Sequence, residues 1–279
     1  MNRGPRPSPA QAFFLDAAPG RRFCLYHPPA SNRECAGAFL YVHPFGEEMN
    51  LSRRMAAMQA RALADAGFGV LQIDLYGCGD SDGELRDASW QIWKLDLAAA
   101  AEWLAKHVAP PISLWGLRLG ATLALDFARD AQAGLDRILL WQPVVNGKTF
   151  MTQFLRLRLA ADMLAAGDRQ EHRTAVPDCE ELIEVGGYEL SQTLISDIST
   201  RDFSNLSGIG CPVHWFEIVP SADLRIPAAR MSIMRAWMDA DVELHVHNVA
   251  GTPFWTGAEP GGCPQLIAAT TDAFARALA

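Results

Sequence analysis

The chain has 279 residues, 49% hydrophobic and 20% charged, which is enough apolar material for one α/β core with an inserted piece. A net charge of −8 opposes phosphate backbones and excludes broad nucleic-acid binding. Six cysteines lack paired or metal-type spacing, no apolar run is long enough to cross a bilayer, and Met1–Pro9 carries basic residues without an apolar leader; a reduced, cytoplasmic protein with no transmembrane segment is expected.

Strand and helix signals alternate along the chain. Two short strands open it, at Gln11–Leu15 and Arg22–His27, and a buried strand at Ala36–Val42 ends on His43-Pro44. Helical periodicity runs over Met49–Ala66 and stops at Gly67, a natural C-cap. The strand Gly69–Asp74 leads into a glycine-rich turn, Gly77–Gly83. Ser89–His107 is helical, with Trp90, Trp93, Leu97 and Leu104 near one face. A strand over 111–117 is followed by a small-residue helix, then a strand at Arg137–Trp141. Later strands at Pro212–Val219 and Val242–Val249 are each followed by a helix, the last being Gln265–Leu278. Strands alternating with helices imply a mostly parallel, doubly wound sheet. The rhythm breaks over residues 146–205, a charged and helical stretch. The expected organisation is an α/β core of residues 1–145 and 206–279 with a helical cap inserted between them.

The strand after Pro111 ends in Gly116-Leu117-Arg118-Leu119-Gly120. Its strand–turn–helix setting is that of the G-x-S-x-G nucleophile elbow, with Arg118 where the nucleophilic serine belongs. A guanidinium stays protonated near neutral pH and has no lone pair with which to attack an acyl carbon.

These features, with His43-Pro44 after one strand and Gly77–Gly83 after the next, resemble the α/β-hydrolase superfamily over nearly the whole chain. More closely, the run from His43 to Arg54, the run from Trp115 to Ala121, and Gly251-Thr252-Pro253-Phe254-Trp255 are similar to the exosortase A system-associated hydrolase 2 family. That resemblance implies an α/β-hydrolase fold with a helical cap. It also implies a bacterial locus serving exopolysaccharide production and PEP-CTERM protein sorting, with a companion hydrolase from the same locus as a candidate partner.

In that fold the triad runs nucleophile, acid, histidine. Asp223 is the candidate acid, because Asp223-Leu224-Arg225-Ile226-Pro227 resembles the Asp-x-x-hydrophobic-Pro turn of many esterases; a helix-capping role for it stands beside that reading. Glu217 is a second, weaker candidate within a strand. The loop after the last strand holds no histidine, and His245 and His247 lie earlier, on one face of that strand. Ser81 sits in a literal match to G-x-S-x-G, but no buried helix follows it. Cys78 has only His43 as a conceivable partner.

His43, Phe45, Glu47, Glu48, Asn50 and Leu119 form the expected pocket and oxyanion loop around Arg118, with Asp80 and Asp82 on neighbouring loops. Trp141, Phe254 and Trp255 either line the crevice or pack in the core. Two readings of Arg118 stand. It clamps a small anionic, acyl or sugar ligand, or Glu47 or Glu48 folds over and neutralises it. No metal or nucleotide motif is present and no cofactor is expected. The function classes that follow are a non-catalytic ligand- or partner-binding protein, an ester or thioester hydrolase using a non-standard constellation, and an enzyme of another kind on the same fold.

Overall fold

The computed structural model describes residues 9–30, 34–108, 111–130, 134–166, 182–220, 225–257 and 261–275. Eight strands form one sheet: β1 (Gln11–Asp16), β2 (Arg21–His27), β3 (Ala38–Val42), β4 (Gly69–Ile73), β5 (Ile112–Leu117), β6 (Leu135–Trp141), β9 (Val213–Val219) and β10 (Leu244–Ala250). Their order across the sheet is β1-β2-β4-β3-β5-β6-β9-β10. β2 is antiparallel to both its neighbours, and every pair from β4 to β10 is parallel. The expected α/β-hydrolase architecture is therefore present. β3 and β5 are buried at every position, because parallel strands covered on both faces by helices read as continuous apolar runs.

Helices α1 (Glu47–Asp65) and α7 (Pro264–Ala275) cover one face; Leu63, Ala60, Leu266 and Phe274 pack there on Phe39, Trp115 and Trp141. Helices α2 (Trp90–His107), α3 (Leu119–Asp130) and α6 (Ala228–Asp239) cover the other. The Ser89 side chain caps α2 by accepting from Ile92 N–H, and Trp90, Trp93, Leu97 and Leu104 form its buried stripe, as their spacing implied.

Two differences from the sequence reading bear on the site. Helix α1 begins at Glu47, because Gly46, at φ 57°, turns the chain sharply enough for the first turn to start there. Glu47 and Glu48, expected before the helix, are thereby fixed on its first turn, where acidic residues favour the positive end of the dipole. Residues 146–205 are also not wholly helical. They hold α4 (Gly147–Ala166), a hairpin of β7 (Ile183–Val185) and β8 (Tyr188–Leu190) closed by Gly186-Gly187, and α5 (Gln192–Ser199). Both glycines have positive φ, which the tight turn requires. The ends of this segment are pinned together by an Asn146–Asp202 bridge and by Gly147 N–H donating to Arg201 O at 2.8 Å.

One fully buried ion pair anchors the loop after β4. Arg22 Nε donates to Asp96 Oδ1 at 2.7 Å, Arg22 Nη1 donates to Pro19 O at 2.6 Å, and Asp96 Oδ2 accepts from Tyr76 N–H at 2.8 Å. Removing one partner strands the other charge in an apolar setting. Asp96→Ala should lower unfolding free energy by about 3–5 kcal/mol in urea titrations. Arg22→Met with Asp96→Leu should lose less than Asp96→Ala, since no buried charge is left alone.

Candidate functional site

The elbow is formed by backbone geometry. Arg118 has φ 55°, a conformation costing a non-glycine residue of order 1 kcal/mol or more, and it is held there by its neighbours. Its N–H donates to Trp141 O at 3.0 Å, and its carbonyl accepts from Ala121 and Val144 N–H groups, each at 3.1 Å. A Cβ at Gly116 would overlap Ala121 backbone, and one at Gly120 would overlap the carbonyl oxygens of Val42 and His43. Both elbow glycines are thus required by close backbone approach, as in a nucleophile elbow. Leu119 follows as the first residue of α3, where helix geometry leaves an N–H without an intrahelical acceptor.

What the elbow presents is an ion pair. Arg118 Nη2 lies 3.1 Å from Glu48 Oε1, and Nε lies 3.2 and 3.4 Å from the two Glu48 oxygens. Only about a fifth of either side chain is exposed. Burial pushes the Glu48 carboxyl upward from its ordinary value, and the Arg118 charge opposes that rise. The guanidinium carbon also lies 5.4 Å from the centre of the Trp255 ring. Trp255 belongs to the loop after β10, the loop that carries the histidine in this fold. An indole, which cannot accept a proton at nitrogen, therefore faces the elbow.

Above this pair is a cavity of about 500 Å³, lined by Phe45, Glu47, Glu48, Leu51, Arg118, Phe150, Gln153, Phe154, Trp255, Thr256 and Gly257. Phe150, Gln153 and Phe154 come from α4, and Phe45 packs edge-on against both phenylalanines at centroid distances of 6.1 and 5.1 Å. Glu47 Oε2 accepts from Asn50 Nδ2 at 3.1 Å and from Tyr188 Oη at 3.2 Å, which ties the hairpin to the start of α1. Of the expected pocket residues, Arg118, Phe45, Glu47 and Glu48 line this cavity and Asn50 is hydrogen-bonded to Glu47, whereas Leu119 lies against a separate small pocket with His43, Phe45 and Leu75. The Phe150–Phe154 wall and Tyr188 were missed by sequence reading. The Phe spacing of four residues on a helix was the available signal, but it is equally a core pattern.

Other candidate residues are held elsewhere. His43 is buried beneath the cavity: its Nδ1–H donates to Pro44 O at 2.7 Å and its Nε2 accepts from Leu75 N–H at 3.1 Å. Both ring nitrogens are used in the neutral tautomer, and burial lowers its pKa. It fixes the β3 and β4 ends together and is not positioned as a base. The Ser81 hydroxyl donates to Asp74 O and accepts from Phe23 N–H. Asp82 accepts from Arg21 N–H, and Asp80 N–H donates to Asp74 Oδ2. The loop Gly77–Gly83 is therefore a strand-end clasp. Burial pushes the Cys78 thiol up to about 12, the reverse of what a nucleophile needs. Trp141 and Phe254 belong to the core, with Trp141 Nε1 donating to Thr270 Oγ1 at 3.0 Å. Glu217 accepts from Trp215, Gln142 and Arg230 inside the fold. Asp223 lies outside the described residues.

His245 and His247 are drawn away from the cavity. His247 Nε2 lies 3.2 Å from His214 Nδ1, its ring stacks on Phe216, and His245 lies 3.0 Å from Glu243. His214 is held down to about 3 from 6.5, by burial first and then by its histidine neighbours, while burial also lowers His247. The folded state refuses a proton that the unfolded chain accepts, so this contribution to stability is whole above pH 6.5 and is lost as the pH falls toward about 3. Tm measured from pH 7.5 to pH 5 should fall, and His214→Phe should fall less over the same interval.

Among the described residues no group of His, Cys, Asp and Glu side chains could hold a metal ion, and no helix is long and apolar enough to cross a membrane. A family model described as Serine aminopeptidase, S33 matches residues 34–175. The human Protein ABHD12B is 30% identical over 133 residues, covering 46% of this chain and 35% of that protein, so the chain spans about a third of that relative's length. Solved structures share the fold at low identity. Est1E from Butyrivibrio proteoclasticus, with ferulic acid bound, has a TM-score of 0.66 at 16% identity, with 96% of this chain and 98% of that one covered. A soluble variant of the monoglyceride lipase of Saccharomyces cerevisiae, with a substrate analogue, has a TM-score of 0.67 at 14% identity, with 99% and 97% covered.

Proposed function

The chain belongs to the Serine aminopeptidase, S33 family within the α/β-hydrolase superfamily, and from that premise we propose that it is a non-catalytic member whose elbow cavity binds a small molecule without turning it over. One observation carries the reading: the position that would hold the nucleophile holds Arg118, already paired with Glu48 and covered by Trp255. Acyl transfer through a serine triad needs a hydroxyl, a base beside it and an acid that orients the base. The first is a guanidinium here. The second is replaced by an indole, and among the described residues no histidine lines the cavity. Asp223 is the candidate for the third, and it would have nothing to orient.

The remaining parts suit binding. The cavity is largely apolar, lies at the carboxyl ends of the parallel strands, and has the size of small-molecule sites, roughly 300–1,000 Å³. Residues 146–205 act in this proposal as its cap, with Phe150 and Phe154 supplying one wall. The anionic ligand suggested by an arginine at the elbow would first have to displace Glu48. A cytoplasmic setting, association with an exosortase and exopolysaccharide system, and a companion hydrolase as partner complete the proposal; the last two rest on the motif resemblance alone.

The test is turnover of a panel of chromogenic esters and thioesters by the purified protein, Arg118→Ala and Arg118→Ser. All three should stay at the background rate, the serine variant included, because among the described residues no histidine faces residue 118 and the one base beside it is the carboxylate of Glu48. Saturable turnover tenfold above background by the unaltered protein would overturn the proposal. Separately, a double-mutant cycle of Arg118→Leu and Glu48→Leu should give a favourable coupling of about 0.5–3 kcal/mol in unfolding free energy. The single variants should each be less stable than the double, since each leaves a part-buried charge alone.

A further inference from the structure

Among the described residues three charged side chains reach the cavity: Glu47, Glu48 and Arg118. Arg118 and Glu48 cancel, held within 3.4 Å of one another. Glu47 is different. Among the described residues its hydrogen bonds, from Asn50 and Tyr188, fall on Oε2 and come from neutral donors, so its charge is oriented and is opposed by the positive end of α1 without a paired cation.

Beside Glu47 stands a wall of rings. A Cβ at Gly46 would lie 3.4 Å from Phe154 Cε2 and 3.8 Å from Tyr188 Cε2, so the backbone carrying Glu47 runs against both rings. Phe150 and Phe154 stack at 6.4 Å and both meet Phe45 edge-on. Aromatic faces attract cations through their quadrupole, and a carboxylate alongside adds a Coulomb term of the same sign. A carboxylate ligand would meet two glutamates and a cation already satisfied.

We infer that the cavity binds an organic cation, an ammonium group carried on an apolar body, with the ammonium beside Glu47 and the ring wall and the apolar body against Leu51, Phe154 and Trp255. This rests on the reading of the cavity as a binding site. Its test is independent of turnover.

Isothermal titration calorimetry at pH 7 with 3-phenylpropylamine, 3-phenylpropanol and 3-phenylpropionate compares one apolar body carrying a positive, neutral or negative head. The amine should bind at least fivefold tighter than the alcohol, and the carboxylate most weakly. Glu47→Gln should bring the amine to within twofold of the alcohol while leaving the alcohol unchanged. Phe154→Leu should weaken the amine more than the alcohol. Equal or tighter binding of the carboxylate, a preference for the amine that survives Glu47→Gln, or no binding of any of the three at millimolar concentration would overturn the inference. Ester turnover would instead sink the non-catalytic reading, and the order of these affinities would still be read on its own.

Discussion

The ion pair between Arg118 and Glu48 is the constraint around which the site is arranged. A guanidinium at the end of β5 cannot be buried alone, and a carboxylate on the first turn of α1 is the group that meets it. Glu48 reaches that place because Gly46 starts α1 early. Trp255 closes the third side over the guanidinium. Carboxylate, indole and guanidinium thus form a neutral floor, and above it stand the aromatic rings, Leu51 and Glu47, with Gln153 and Thr256 also on the wall.

The elbow geometry is present although its central residue, Arg118, carries no hydroxyl. Arg118 retains a positive φ, and Gly116 and Gly120 retain the contacts that force it. The strain is sustained by the surrounding backbone: three hydrogen bonds to Trp141, Ala121 and Val144 hold residue 118 whatever its side chain. Geometry at such a turn follows from the approach of β3, β5 and α3, so it does not depend on a hydroxyl at residue 118. His43 tells the same story. Its ring joins the ends of β3 and β4 through two hydrogen bonds, a structural task that requires the neutral form.

The sheet, its helices and the elbow were legible in the sequence because each is written in local terms. Apolar runs such as Ala38–Val42 mark buried parallel strands, the stripe Trp90, Trp93, Leu97 and Leu104 marks α2, and Gly116 and Gly120 mark the turn. Charge burial left two readings of Arg118 open, a ligand anion or Glu47 or Glu48, and the choice of Glu48 depended on where α1 begins. The hairpin at Ile183–Leu190 escaped, since two three-residue strands leave too short a pattern, and its contact with Glu47 joins residues far apart in sequence. The fate of His214, His245 and His247 was likewise non-local, set by cross-strand register between β9 and β10.

The most direct measurement of the central claim is the intact mass of the protein after incubation with a fluorophosphonate probe, which traps activated nucleophiles by forming a covalent bond to phosphorus. With Arg118 at the elbow and Trp255 facing it, the mass should be unchanged. A single stoichiometric adduct would contradict the account, and peptide mapping of that adduct would identify the nucleophile.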